Sequence, residues 1–231
     1  KRIDPILPAS LFGGASWVVC SGSHNISRSF AFCNLKVERI LNIRAIAEFG
    51  KTHRIPIMTV KPVLITGPGD VGPTTFGQFL VTILNGTAPA VPFGGLSMVD
   101  ARDAADGMIR AAERGKNGEH YILSNRYATT TEIARVLTDT VGRRPLATMP
   151  HPVGMTLGFF SELLSSVTGG EPMVTRRALT TLQSHFEVSS AKARRELGAT
   201  FRPLDATMRD QALWFIEHGY VKGGAALARA S

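Results

Sequence analysis

Cysteine, aromatic residues and long apolar runs are all scarce in this chain, and each scarcity removes a class of protein. The 231 residues hold two cysteines, Cys20 and Cys33. They make no Cys-x-x-Cys pair and no cluster with histidine, so neither a disulfide framework nor a zinc site is indicated, and a reducing, cytoplasmic setting fits. The six histidines show no His-x-x-x-His spacing, and no metal is expected. The longest apolar stretch, 153–167, is broken by Ser161, Glu162 and Ser165. It is too short and too polar to cross a bilayer and reads as an amphipathic helix. No signal peptide is visible, and the start at Lys1 rather than Met reads as a fragment or a processed end. A Gly-x-Ser-x-Gly elbow is also missing, which removes the α/β-hydrolase motif.

What is present is enough to fold. Hydrophobic residues make up 44% of the chain and charged ones 19%, a balance that supports a buried core and argues against disorder. The net charge is +8, spread over short groups such as Arg143-Arg144 and Arg194-Arg195. No aromatic residues interleave with them, so a nucleic-acid partner is not expected and solvated helix faces are.

The first thirty-one residues mix Pro5, Pro8, Gly13 and Gly14 with apolar residues and show no sustained period, though Trp17-Val18-Val19-Cys20 has the look of a short buried strand. From Leu35 to His53 apolar residues recur at helical spacing, which predicts one long helix. Arg54-Ile55-Pro56 breaks it, and the β-branched run from Ile57 to Val60 predicts a buried strand. A helix over Thr75–Asn85 should close at Gly86. A strand over Ser97–Asp100 should be followed by a helix over 104–114 capped by Asp103. A further strand is expected over 119–124, and a helix capped by Thr129 or Thr130 should run to Thr140. Helices over 153–167, 175–181, 190–197 and 204–217 complete the pattern. The strands at Ile57–Val60 and Met98–Val99 are expected to lie parallel in one sheet.

Five of these pieces carry a resemblance. The segment Ile57 to Asp70 resembles the extended short-chain dehydrogenase/reductases, in which a strand is followed by Asn-Pro (here Lys61-Pro62) and a Gly-Pro-Gly-Asp turn. Val99 to Ala105, Gly118 to Leu123, Ser189 to Gly198 and the helix carrying Trp214-Phe215 resemble later parts of the same family, in its order. The likeness is to the NAD(P)-dependent epimerase/dehydratase and dihydroflavonol-reductase-like branch, and covers roughly residues 55–221. The family's opening Gly-x-x-Gly-x-x-Gly turn, where a helix N-terminus holds the cofactor pyrophosphate, has no counterpart at that spacing.

The resemblance implies an α/β fold: a partial Rossmann-type parallel sheet with a small, mostly helical C-terminal substrate domain. In that division residues 1–31 are an illegible N-terminal segment and 32–150 the later Rossmann part with interleaved substrate-domain elements. Residues 151–221 are then the helical substrate domain, and 222–231 a frayed tail. Such a piece would leave a sheet edge open to pairing. The implied activity is that of an NAD(P)-dependent oxidoreductase, epimerase or dehydratase acting on a carbonyl, hydroxyl or nucleotide-sugar substrate, truncated and inactive alone. The alternative is a non-catalytic relative that binds a ligand, protein or nucleic acid. A small-molecule substrate and a homodimer are the implied partners, and no membrane is.

Site residues follow from the same resemblance. The family's Tyr-x-x-x-Lys matches Phe32 to Lys36, so Lys36 is the candidate catalytic and cofactor-binding lysine, with Phe32 lacking the phenol that would exchange the proton. Its other reading is a solvated lysine on an amphipathic helix. Pro62 and Val63 are the candidate positions against the nicotinamide of NAD or NADP, or else a rigid strand exit. Thr74, Thr75 and Phe76 are candidate substrate contacts, or a turn and helix cap. Arg102 is a candidate substrate residue, or one half of a structural ion pair.

Overall fold

The structure, a computed structural model, describes residues 48–150 and 187–222 continuously, with 17–20, 30–31, 46, 152–154, 156 and 176–183. The chain resolves into two compact units built from alternating segments. The first comprises 1–65, 98–125 and 188–202, and the second 66–97, 126–187 and 203–231. Both units are discontinuous along the chain, and the segment 188–202 packs with the first.

In the first unit β3 (Ile57–Pro62) is the organising strand. It pairs in parallel with β7 (His120–Leu123), with Val60 opposite Tyr121 and Pro62 opposite Leu123. Its other edge takes β1 (Trp17–Cys20) antiparallel, and β2 (Phe30–Ala31) lies beyond, giving the order β2-β1-β3-β7. β3 is thus flanked by a strand on both sides. The parallel β3–β7 pair fits the Rossmann-type expectation, and the antiparallel β1 is a departure from it.

One expectation fails outright. Met98 and Val99 lie in β6 (Gly95–Asp100), which belongs to a separate sheet of order β4-β6-β8, with β4 at Leu64–Thr66 and β8 at Arg126–Thr129. The parallel partner of β3 is β7. The bond from Asn117 helps set that choice: its side-chain oxygen accepts from the Ile57 N–H at 2.8 Å, and the Gly118 N–H donates to the Ile57 carbonyl at 2.7 Å, so the approach to β7 is pinned at the start of β3.

The core of the first unit follows from strand alternation. Met58 and Val60 of β3 and Tyr121 and Leu123 of β7 fall on one face, and all are at most 1% exposed. Two helices cover that face: α2 (Ala101–Arg114), through Ala104 and Ala111, and α5 (Ala191–Leu197), through Ala193 and Leu197. Gly107 lets α2 come close, since a Cβ there would sit 2.6 Å from Leu123 Cδ1. The helical residues 48–53 end at Arg54, whose φ of 55° is left-handed, and the Ile55 N–H donates to the Gly50 carbonyl at 2.9 Å. Of the long helix expected over 35–53, the stretch before residue 46 lies outside the described residues.

The second unit is helical, with a two-stranded parallel pair of β5 (Val91–Pro92) and β9 (Thr148–Met149). α1 (Thr75–Leu84), α3 (Thr130–Thr140) and α6 (Leu204–Glu217) pack on one another. They bury Leu80, Ile83, Leu137, Met208 and Phe215. The remaining helix, α4, spans Arg176–Gln183. Thr129 caps α3, its hydroxyl accepting from the Glu132 N–H at 3.1 Å, as its sequence pattern predicts. Of the helix expected over 153–167, residues 153, 154 and 156 are helical, and the rest lies outside the described residues.

Candidate functional site

The carboxyl end of β3 carries three successive residues of interest, Lys61, Pro62 and Val63. Pro62 closes the strand and has no N–H to give. The Val63 N–H donates to the Leu123 carbonyl at 3.1 Å, so this backbone donor is engaged by the neighbouring strand. Lys61 is half-buried, and burial holds its ammonium below the usual lysine range. On β7, His120 is also lowered, first by burial and then by the cations of Lys61 and Lys192. Glu119 is lowered by its hydrogen bond to the Lys192 ammonium. Just after β7, the hydroxyl of Ser124 is fully buried and has no hydrogen-bond partner.

Arg102 is placed by a different logic. Asp100, not Asp103, caps α2: it is extended, at φ −66° and ψ 139°, and its side chain accepts from the Arg102 N–H at 2.8 Å. The Arg102 guanidinium then closes on the same carboxylate, Nε to Oδ1 at 2.9 Å and Nη2 to Oδ2 at 2.7 Å. Asp103, in the first turn, is instead gripped by Arg202, through its backbone N–H at 2.8 Å, its Nε at 2.9 Å and its Nη2 at 2.8 Å. The Asn125 side chain donates to the Arg202 carbonyl at 2.7 Å. This is the geometry of a structural ion network that ties α2 to the end of 188–202.

In the second unit the loop from Gly67 to Pro73 leads into α1. Its glycines fall at Gly67, Gly69 and Gly72, each with positive φ, between a strand and a helix. That is Gly-x-Gly-x-x-Gly spacing, one residue shorter in its first interval than Gly-x-x-Gly-x-x-Gly. The site does not fit a pyrophosphate, because an anion is already there. Asp70 Oδ1 accepts from the Thr74 N–H at 3.0 Å and Oδ2 from the Thr74 hydroxyl at 3.0 Å. A Cβ on Gly77 would sit 1.9 Å from Asp70 Oδ2, so the carboxylate lies against the first turn of α1 and Gly77 makes room for it. Asp70 thus takes the Thr74 N–H just ahead of α1 and sets a carboxylate beside the positive end of the helix.

Thr74 is accordingly the cap of α1, its hydroxyl accepting from the Gly77 N–H at 3.1 Å. Thr75 is exposed, and Phe76 is half-buried with its ring 6.2 Å from that of Phe79. Two residues that sequence reasoning did not single out hold the loop from α6 and beyond. Gln211 Oε1, buried, accepts from the Thr66 hydroxyl at 2.5 Å and the Gly67 N–H at 3.1 Å, and the Tyr220 hydroxyl accepts from the Gly72 N–H at 3.2 Å. The only sequence signal for Gln211 was a polar residue on the apolar side of a helix. Gln211→Ala should leave the Thr66 hydroxyl and the Gly67 amide without a partner, at a cost of about 2 kcal/mol. Hydrogen exchange at the Gly67 amide should quicken selectively, and unchanged protection there would show that Gln211 does not brace the loop. Lys36 and Phe32 lie outside the described residues.

No family model matches the chain. A putative dihydroflavonol 4-reductase of Synechocystis sp. is 30% identical over 171 residues, covering 72% of this chain and 50% of its own. The solved structure of gox2253 is 31% identical, covering 78% of this chain and 55% of its own, with a TM-score of 0.62. A nucleoside-diphosphate-sugar epimerase from Pseudomonas aeruginosa, at 24% identity and a TM-score of 0.57, shares the fold over 87% of this chain and 62% of its own. Other structures of this fold hold NAD+, NADH or NADPH. The chain spans about half the length of the curated relatives it matches. By sequence and fold together, it belongs to the dihydroflavonol-reductase-like, NAD(P)-dependent epimerase/dehydratase family.

Proposed function

We propose that the chain supplies the substrate-side part of an NAD(P)-dependent oxidoreductase, epimerase or dehydratase acting on a carbonyl, hydroxyl or nucleotide-sugar substrate, and that alone it does not turn over. The observation that carries this reading is the contrast within the molecule. The parallel β3–β7 pair retains the strand end where sheets of this class meet ligands. The one glycine-rich strand-to-helix turn among the described residues has its anion seat filled by Asp70. Phe32, in place of the family's tyrosine, removes the second requirement, an ionisable phenol.

The test is a fusion of the opening half of the Synechocystis relative to this chain, with and without Phe32→Tyr. Nicotinamide oxidation with small aldehydes and ketones should appear only when both changes are present, in a fusion that melts cooperatively. Turnover by the chain alone would overturn the reading. A folded double repair that binds cofactor and never turns over would favour a non-catalytic ligand-binding relative.

A further inference from the structure

The end of β3 departs from the family pattern at a single position. Where the resemblance sets a neutral Asn before the proline, this chain has Lys61. The register puts Lys61 opposite Ile122 and Pro62 opposite Leu123, so the lysine stands at the carboxyl end of a parallel pair. It is half-buried, and among the described residues no carboxylate pairs with it. Burial holds its ammonium below the usual lysine range. The charges on the elements around β3 are otherwise engaged or remote. His120 on β7 couples to Lys61 and is itself held toward the neutral form. Glu119 is taken by Lys192 of α5. On α2, Asp103 is held by Arg202, Asp106 by Arg110, and Arg114 by the Leu197 carbonyl. Glu48, Lys51 and His53 on the helical residues 48–53 are exposed. A second, independent observation points to the same strand ends. Ser124 follows Ile122, the register partner of Lys61, by two residues, and its hydroxyl is fully buried with no partner. An orphaned buried hydroxyl in a folded protein calls for a polar atom to meet it.

We propose that Lys61 is a reactive amine that takes up aldehydes or ketones at the carboxyl ends of β3 and β7. The amine nitrogen attacks the carbonyl carbon, a carbon–nitrogen bond forms, and the carbonyl oxygen leaves as water, giving an imine with no change of oxidation state. Burial favours this chemistry because only the neutral amine is nucleophilic, and a desolvated lysine holds more of that form near neutral pH. The inference rests on the proposed substrate class, a carbonyl compound, but not on cofactor binding.

The experiment is reductive trapping of the whole chain with propionaldehyde and cyanoborohydride, followed by peptide mapping of each lysine. Near neutral pH, Lys61 should label ahead of the exposed Lys51, Lys116 and Lys222, by on the order of tenfold for each unit its pKa is depressed. At strongly alkaline pH, where every lysine is neutral, that lead should vanish. Lys61→Asn should remove the fast-labelling site and leave the other rates unchanged. If that variant does not fold, the pH dependence of the labelling order in the unaltered chain decides alone. Lys61 labelling no faster than the exposed lysines near neutral pH would overturn the proposal. No nicotinamide enters the experiment, so its failure is separable from failure of the cofactor reading.

Discussion

Arg202→Ala is expected to be among the most damaging single changes to this chain, at about 3 kcal/mol, because it takes the guanidinium from the desolvated Asp103 and leaves Asp100 with one guanidinium fewer. The side chain of Asp100 is 0% exposed and that of Asp103 9%, while the Arg202 guanidinium, 32% exposed, lies 3.6 Å from the first and 2.8 Å from the second. A guanidinium on the solvent side of two desolvated carboxylates suits Arg better than Lys, since its planar fork serves both. Arg102 cannot replace it, being already forked on Asp100. The melting temperature should fall by roughly 10 °C. Arg202→Lys should recover part of the loss, and the double change Arg202→Ala with Asp103→Ala should cost less than Arg202→Ala alone. A double variant that costs the sum of Arg202→Ala and Asp103→Ala would show that the pair contributes no net coupling.

The second large effect is expected at Tyr121. Its side chain is fully buried between β7 and the helices of the first unit, and it is polar at the tip. The hydroxyl accepts from the Lys116 N–H at 3.0 Å and donates to Glu196 Oε2 at 3.3 Å, and the Lys192 ammonium lies 5.1 Å from the ring centroid. Tyr121→Ala removes the ring from a packed core and should cost about 4 kcal/mol. Tyr121→Phe keeps the ring, orphans the Lys116 amide, leaves Glu196 to Arg195 and the Lys116 ammonium, and should cost about 1–2 kcal/mol. A denaturation midpoint for Tyr121→Phe as low as that for Tyr121→Ala would place the weight on the hydroxyl rather than on the packing.

These residues also mark how far the sequence could be read. The helix from Leu204 to Glu217 and the cap at Thr129 are local features, written in apolar period and in a Thr-x-x-Glu pattern, and the structure has them where the pattern puts them. The strand Ile57 onward was legible for the same reason, but its partner was not. Both β6 and β7 are short apolar strands, and what selects β7 is a set of bonds to Asn117 and Gly118 that no periodicity reveals. The cap of α2 was read one turn too late. Asp100 and Asp103 have equal claims by residue type, and only the extended backbone at Asp100 and the distant Arg202 separate their roles. At the candidate site, Thr74 could be read as a helix cap from its neighbours. Gln211 could not be read as a brace, because its partners Thr66 and Gly67 are 145 and 144 residues away along the chain.

Calorimetric titration of the isolated chain with NADH and NADPH bears most directly on the central proposal, that the chain carries the family fold without a seat for the cofactor's pyrophosphate among the described residues. The family's opening glycine-rich turn has no counterpart at its spacing, and at the Gly67–Gly72 turn a phosphate would meet the Asp70 carboxylate beside α1. The account predicts no measurable heat at millimolar ligand, an affinity weaker than about 1 mM, or about 4 kcal/mol of binding free energy. Saturable micromolar binding of either nucleotide would contradict it.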